Sequence, residues 1–397
     1  MFELIHNVPL LAFLAISFHL ALIACFSTSV RSRLVSIFEH PRQPSSGKVF
    51  PIFDSLRGVA VLMVVTFHLF QWFNPGFASL GKISLIRNGW CGVELFVVLS
   101  GYLIYGAVKT SGRGQAALVK YFKRRFYRIY PVYLVTTIIG FLLVTYAPPP
   151  FAWHQAMVRA ISGPLEMLKE LSYDIFLLRG VNWSLVEFLN PPSWSLGVEV
   201  TFYLAVPIYA FVTKKNPLLF ALVTFLSLFA LKHNGSREFG MLVFFWVGIL
   251  IYEVERYSML SKVPRIVWLI VFASGCSMTI YFVAGEWVGM NGGHLSPRYY
   301  RTGPLAFGLL FSVLGVLKLE HLFAWFACYP IRFVGIVSYS LFLTHFLLFS
   351  VSGLEFYVGL NGIEAIVLTA FVIIPASLML SAISFALIER PFLSHRF

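Results

Sequence analysis

Runs of roughly 20 apolar residues recur along the whole chain, joined by short polar or basic connections, and nothing else in it constrains the fold as strongly. A helix needs about 20 such residues to cross the ~30 Å hydrocarbon core of a bilayer. By that measure spans are expected near 8–28, 55–73, 91–108, 129–147, 194–213, 217–232, 239–256, 266–286, 302–318, 333–352 and 363–388. The 217–232 run is the shortest. Only 12% of the residues are charged, about half the share of a soluble domain. Mean hydropathy is +0.81. No polar stretch is long enough for a separate soluble domain. The expected class is therefore all-α, a polytopic transmembrane helical bundle.

The formal charge of +13 does not point to nucleic acid, because the basic residues sit in short loops between apolar runs. Such loops are normally cytoplasmic, where they also meet anionic lipid. The first run follows MFELIHN, which has no basic residue, and Arg31, Arg33, Arg42 and Lys48 come after it. A signal peptide has the opposite asymmetry, so a retained helix with its N-terminus outside is expected. Alternation from there puts 29–57, 109–128, 214–216, 254–265, 318–332 and a cytoplasmic C-terminal tail on the inner side. These segments hold 21 of the 30 Lys and Arg residues.

The longest outer connection is 148–193. Within it, 165–179 (LEMLKELSYDIFLLR) has helical periodicity and is expected to lie on the membrane surface. There is no internal repeat of the kind that marks many transporters. Cys25, Cys91, Cys276 and Cys328 have neither metal-ligand spacing nor a disulfide framework, and read as core residues. No metal site is expected.

Charged side chains at membrane depth cost several kcal/mol and mark function. Arg57 and His68 are eleven residues apart in FDSLRGVAVLMVVTFHLF, so they share a helix face about 16 Å apart. Arg57 stands at the inner edge, where phosphate is accessible, and His68 in the outer half, where a near-neutral imidazole can take a proton from a hydroxyl. In GVELFVVLSGYLIYG, Glu94 is shallow enough to reach water, and Gly101 suits close helix packing. Arg125 and Arg128 in KYFKRRFYRIYPVYL are three apart and present two guanidinium forks on one face, a geometry suited to phosphate. In PPSWSLGVEVTFYLAVP, Glu199 comes out at the depth of His68, where a carboxylate would stabilise an imidazolium. VGIVSYSLFLTHF sets His345 at comparable depth, with Ser338 nearer the inner face.

These segments, in this order, resemble acyltransferase family three, the polytopic membrane O-acyltransferases of bacterial surface carbohydrates and related acceptors. The resemblance covers about residues 50–392. It rests on the Arg57-to-His68 spacing, Gly92 to Ile104 including LSGYLI, the Arg125/Arg128 pair, WSLGVEVTFYL, VSYSLFLTH and the closing ERPF at 389–392. It implies a ten-helix acyltransferase core over 50–397, preceded in 1–49 by one extra transmembrane helix and a basic cytoplasmic linker. Phe342 stands where the family often has tyrosine.

The resemblance further implies an acyl-CoA donor, most often acetyl-CoA, drawn from the cytosolic side of a bacterial inner membrane. Arg125, Arg128, Arg57 and Ser338 are the expected donor-binding residues, and His68, Glu199 and His345 the expected catalytic ones. The expected acceptor is an extracytoplasmic glycan or glycolipid hydroxyl. No esterase-like domain follows the core, so a separate periplasmic acyl carrier is expected to be another protein. A secondary transporter or lipid-linked sugar flippase equally needs buried Arg, His and Glu; acetyl-CoA binding separates the two readings.

Overall fold

In lipid the backbone has no water to bond with, so each apolar run closes its hydrogen bonds internally as a helix. The computed structural model describes residues 8–25, 27–38, 51–70, 84–111, 114–146, 163–177, 189–231, 237–284, 303–351 and 362–394, and among these there is no strand. The first half comprises α1 (Val8–Ala24), α2 (Thr28–Phe38), α3 (Pro51–His68), α4 (Gly92–Thr110), α5 (Gln115–Tyr146), α6 (Pro164–Ile175), α7 (Trp194–Val212) and α8 (Pro217–Leu231). The second comprises α9 (Arg237–Arg256), α10 (Arg265–Ala284), α11 (Gly303–Lys318), α12 (Tyr329–Ile336), α13 (Ser338–Val351), α14 (Gly362–Leu368), α15 (Ile374–Ser384) and α16 (Arg390–Ser394). Two π-helical turns, Thr369–Ile373 and Phe385–Glu389, join the last three into one bent rod.

A helix stands on each of the eleven apolar runs. Among the described residues, six are long and apolar enough to cross a membrane, or nine if each bent pair counts as one span. The shortfall has two visible causes. The 217–232 run yields 15 helical residues, and α9 carries acidic and basic residues at both ends. The basic linker at 39–50 and most of the 148–193 connection lie outside the described residues.

At the centre stands α13, whose residues 338–350 are all buried; a helix apolar on every side belongs in a core. Helices α15, α3 and α5 pack against it. Small residues set the α4–α9 crossing: a Cβ on Gly101 would overlap the Phe245 carbonyl, and one on Gly248 the Val98 carbonyl. The backbones therefore touch, as expected for Gly101. Polar ties fix the start of α3: Asp54 pairs with Arg332 of α12 at 3.8 Å, and the Ser55 hydroxyl donates to the Phe326 carbonyl at 2.7 Å. On the periphery, Ile208 and Phe211 of α7 are exposed, a surface suited to lipid.

Three features differ from the sequence expectation. Helix α6 does not stand apart on a surface. The Thr145 hydroxyl meets the Met167 sulfur at 3.8 Å, whereas Tyr133 and Tyr130 donate to the Asp174 and Ile175 carbonyls at 2.8 and 3.1 Å. It thus runs antiparallel along α5, because its apolar stripe and free C-terminal carbonyls find partners there. Glu94 is fully buried rather than open to water. Cys328 is exposed rather than in the core, while Cys91 is buried.

Candidate active site

Helix α3 carries both ends of the site. Its Pro51 end is called lower and its His68 end upper. Helix α4 runs antiparallel to it, with Phe53 against Tyr102 at 4.8 Å and the Arg57 guanidinium 5.9 Å from the Phe96 ring centre.

At the upper end, His68 Nδ1 and His345 Nε2 are 2.9 Å apart, with the rings stacked at 5.1 Å and 16°. His345 Nδ1 lies 2.9 Å from the Leu341 carbonyl, which can only accept, so Nδ1 carries the proton. His345 is 0% exposed, and an imidazolium so deep in apolar packing would be costly, so its Nε2 is an acceptor. His68 Nδ1–H must then donate to it. His68 Nε2 is left bearing the lone pair, the form a general base requires. The tautomers follow from the partners, working inward from one carbonyl. Phenyl rings enclose the pair: Phe346 stands edge-on to His68 at 5.6 Å and Phe349 edge-on to His345 at 5.6 Å.

Below the pair, α3, α4, α5, α7, α9 and α13 line a partly open cleft with about 620 Å³ of empty space, open solvent included. Arg57, Arg128, Ser338, Glu199, Ser100 and Ser195 supply its polar wall. Phe96, Phe202, Phe245 and Phe342 supply the aromatic one. Ser338 is 0% exposed, and its hydroxyl has no partner among the described residues. A buried hydroxyl without a protein partner is normally completed by water or ligand. Two guanidiniums and one such hydroxyl thus line the same cleft, donors of the kind that phosphate oxygens accept.

The structure brings four of the seven sequence-derived residues into this cleft: Arg57, Arg128, Ser338 and Glu199. It pairs His68 with His345. Arg125 is not part of the cleft lining; its guanidinium lies 5.6 and 5.5 Å from the Tyr121 and Tyr203 ring centres. Glu199 is not at the depth of His68. It accepts from Tyr203 at 2.7 Å and from Ser100 at 3.4 Å, and Ser100 is one helical turn below Phe96, the ring that faces Arg57. Glu199 thus lies near the level of Arg57, whereas His68 is about 16 Å higher along α3. Counting from assumed membrane surfaces had equalised the two. The cause is the low start of α7: the Asn190 amide just before it donates to the Leu343 carbonyl at 3.1 Å, already below His345 on α13, and Glu199 lies further down from there. Tyr203 was absent from the sequence-derived set. Its signal was the four-residue spacing from Glu199, which puts the two on one face of α7.

Among the described residues no group of three or more His, Cys, Asp or Glu side chains is placed to hold a metal.

Comparison with known proteins gives consistent results. A family model described as an acyltransferase domain, the third of that series, matches residues 50–386. The chain is 26% identical over 382 residues to the peptidoglycan O-acetyltransferase OatA of Listeria monocytogenes, covering 87% of this chain and 56% of that protein. It is 25% identical over 347 residues to the O-acetyltransferase OatA of Staphylococcus aureus, covering 78% and 52%. It is 26% identical over 174 residues to the acyltransferase MdmB of Streptomyces mycarofaciens, covering 42% and 41%. The chain spans about half the length of these curated relatives. No solved structure matches.

Proposed function

The chain belongs to acyltransferase family three, and from that premise we propose that it is a membrane O-acyltransferase carrying an acetyl group from acetyl-CoA to a carbohydrate hydroxyl. The observation that carries the reading is the His68–His345 hydrogen bond, which leaves His68 Nε2 as a base. The acceptor class is supported by two relatives named as O-acetyltransferases, one of them of peptidoglycan.

In this reading the donor's phosphates bind in the lower cleft, on the Arg57 and Arg128 guanidiniums and the Ser338 hydroxyl. These groups suit them because charged donors bind phosphate oxygens more strongly than neutral ones. The narrow pantetheine arm rises along the aromatic wall and brings the thioester up to His68. His68 Nε2 takes the proton of the acceptor hydroxyl as its oxygen attacks the thioester carbonyl. The C–O bond forms and the C–S bond breaks. The departing thiolate takes the proton back from His68, leaving an ester and free CoA thiol. His345 Nε2, which receives the Nδ1–H bond, stabilises the transient imidazolium. Glu199 acts lower, where its carboxylate fixes Tyr203 beside Arg125 and balances the positive charge of the unfilled cleft.

The lower end then faces the cytosol, with the C-terminal tail, and the upper end faces the extracytoplasmic glycan or glycolipid. The ten-helix core from residue 50 onward performs the transfer, and α1 is an addition to it. The test is direct. Purified full-length protein is expected to bind acetyl-CoA and release its thiol slowly to water, and a deletion strain to lose O-acetyl groups from a surface glycan by mass spectrometry. Absence of acetyl-CoA binding rejects the reading and favours a transporter.

A further inference from the structure

Neither histidine is among the described residues that line the cleft, so the cleft stops short of the base. One side chain borders both. Phe342 lines the cleft, and its ring lies 6.1 Å from that of Phe96 on α4. From the other side it lies 6.3 Å from the His345 ring. It is 6% exposed. Along α13 it sits one turn above Ser338, the residue at the arginine level, and one turn below Phe346, the residue against His68. Its height therefore matches the route that a thioester anchored below must take.

We propose that Phe342 is the partition between the donor cleft and the histidine pair, and that its ring limits the acyl group to a short chain. The inference rests on the proposed acyl-CoA reading and names the donor class within it. Once the thioester carbonyl reaches His68, the pantetheine arm fills the passage between Phe342 and Phe96, and the acyl carbons must turn aside from the carbonyl against the Phe342 ring, which borders His345. An acetyl methyl passes beside a displaced phenyl edge. A butyryl chain adds two methylenes, which must overlap the ring or remain in the cleft with the thioester too low to react. A close-packed interior resists such overlap.

Full-length wild-type and Phe342→Ala proteins, purified in detergent, are compared for thiol release from acetyl-, propionyl- and butyryl-CoA. The wild type is expected to prefer acetyl-CoA. In the variant, the butyryl-to-acetyl ratio of kcat/KM is expected to rise at least tenfold, because a methylene that finds apolar space is worth about fourfold. Phe342→Leu, which keeps most of the apolar volume, is expected to shift the ratio in the same direction by less and serves if the alanine variant does not fold. An unchanged ratio in the folded variants, beside an active wild type, overturns the partition and leaves the acyltransferase reading intact. Loss of turnover with every donor in a folded variant overturns it as well. A wild type that releases no thiol from any of the three overturns both.

Discussion

At the lower end of α3 the side chains face a cleft that Arg57 and Arg128 line together with Ser338, whose hydroxyl has no partner among the described residues. Eleven residues higher they face a wall of phenyl rings, where both nitrogens of His345 are engaged. The contrast separates two tasks that one helix must serve. A binding site for a charged donor has to hold polar groups ready for a partner that is not yet there. A proton-transfer site needs one tautomer, held in a dry place where an ion is stabilised only by chosen neighbours. Because both sit on α3, their separation is set by helical rise, about 16 Å. Only a long, thin donor can use both at once.

The comparison breaks most visibly at the top. His68→Ala is expected to lower acetyl transfer by about 10³-fold, in the range of a lost general base, with acetyl-CoA affinity within twofold of wild type. An affinity that falls along with the rate would mean the two ends are not separate tasks. His345→Ala comes next. It strands the half-buried His68 Nδ1–H, a loss of roughly 1–3 kcal/mol, and about 10- to 100-fold in rate is expected. His345→Gln keeps an oxygen that can accept from Nδ1–H, so it should recover most of that loss; equal damage from both would deny the tautomer role.

How much of this could be read beforehand differs between the two ends. The shared face of Arg57 and His68 was legible, because an eleven-residue spacing inside one helix depends on local geometry alone. So was the closeness demanded of Gly101. The pairing of His68 with His345 was legible only as comparable depth, since 277 residues separate them and no local rule brings two spans side by side. Glu199 was misplaced for a related reason: depth counted from loop ends assumes that every helix starts at the same plane, and α7 starts lower than α3 finishes. For α6, periodicity revealed an apolar stripe but not what covers it. The stripe found α5, whose Tyr130 and Tyr133 hydroxyls reach its last carbonyls.

At the lower end the effects should be smaller and confined to binding. Arg128→Gln removes one charged donor from the cleft, a contact worth about 1.5 kcal/mol or somewhat more. Acetyl-CoA affinity is expected to fall about tenfold in a titration, with kcat nearly unchanged. A large drop in kcat instead would place Arg128 near the reacting carbonyl and erase the vertical separation.

Arg125→Gln sharpens the comparison by the smallest step. The two arginines are three residues apart on α5 and look equivalent in sequence, yet the Arg125 guanidinium rests against the Tyr121 and Tyr203 rings instead of lining the cleft. A cation over an aromatic face contributes about 0.5–1 kcal/mol where water reaches it. Its removal acts on the donor only through Tyr203 and the Glu199 carboxylate that Tyr203 holds. Acetyl-CoA affinity is therefore expected to fall less than fivefold, and Tyr203→Phe should abolish most of that remaining difference in a double-mutant cycle. A full tenfold loss that persists in the Tyr203→Phe background would show that Arg125 leaves the rings and grips phosphate once the donor arrives, making the lower site one guanidinium richer than its resting geometry.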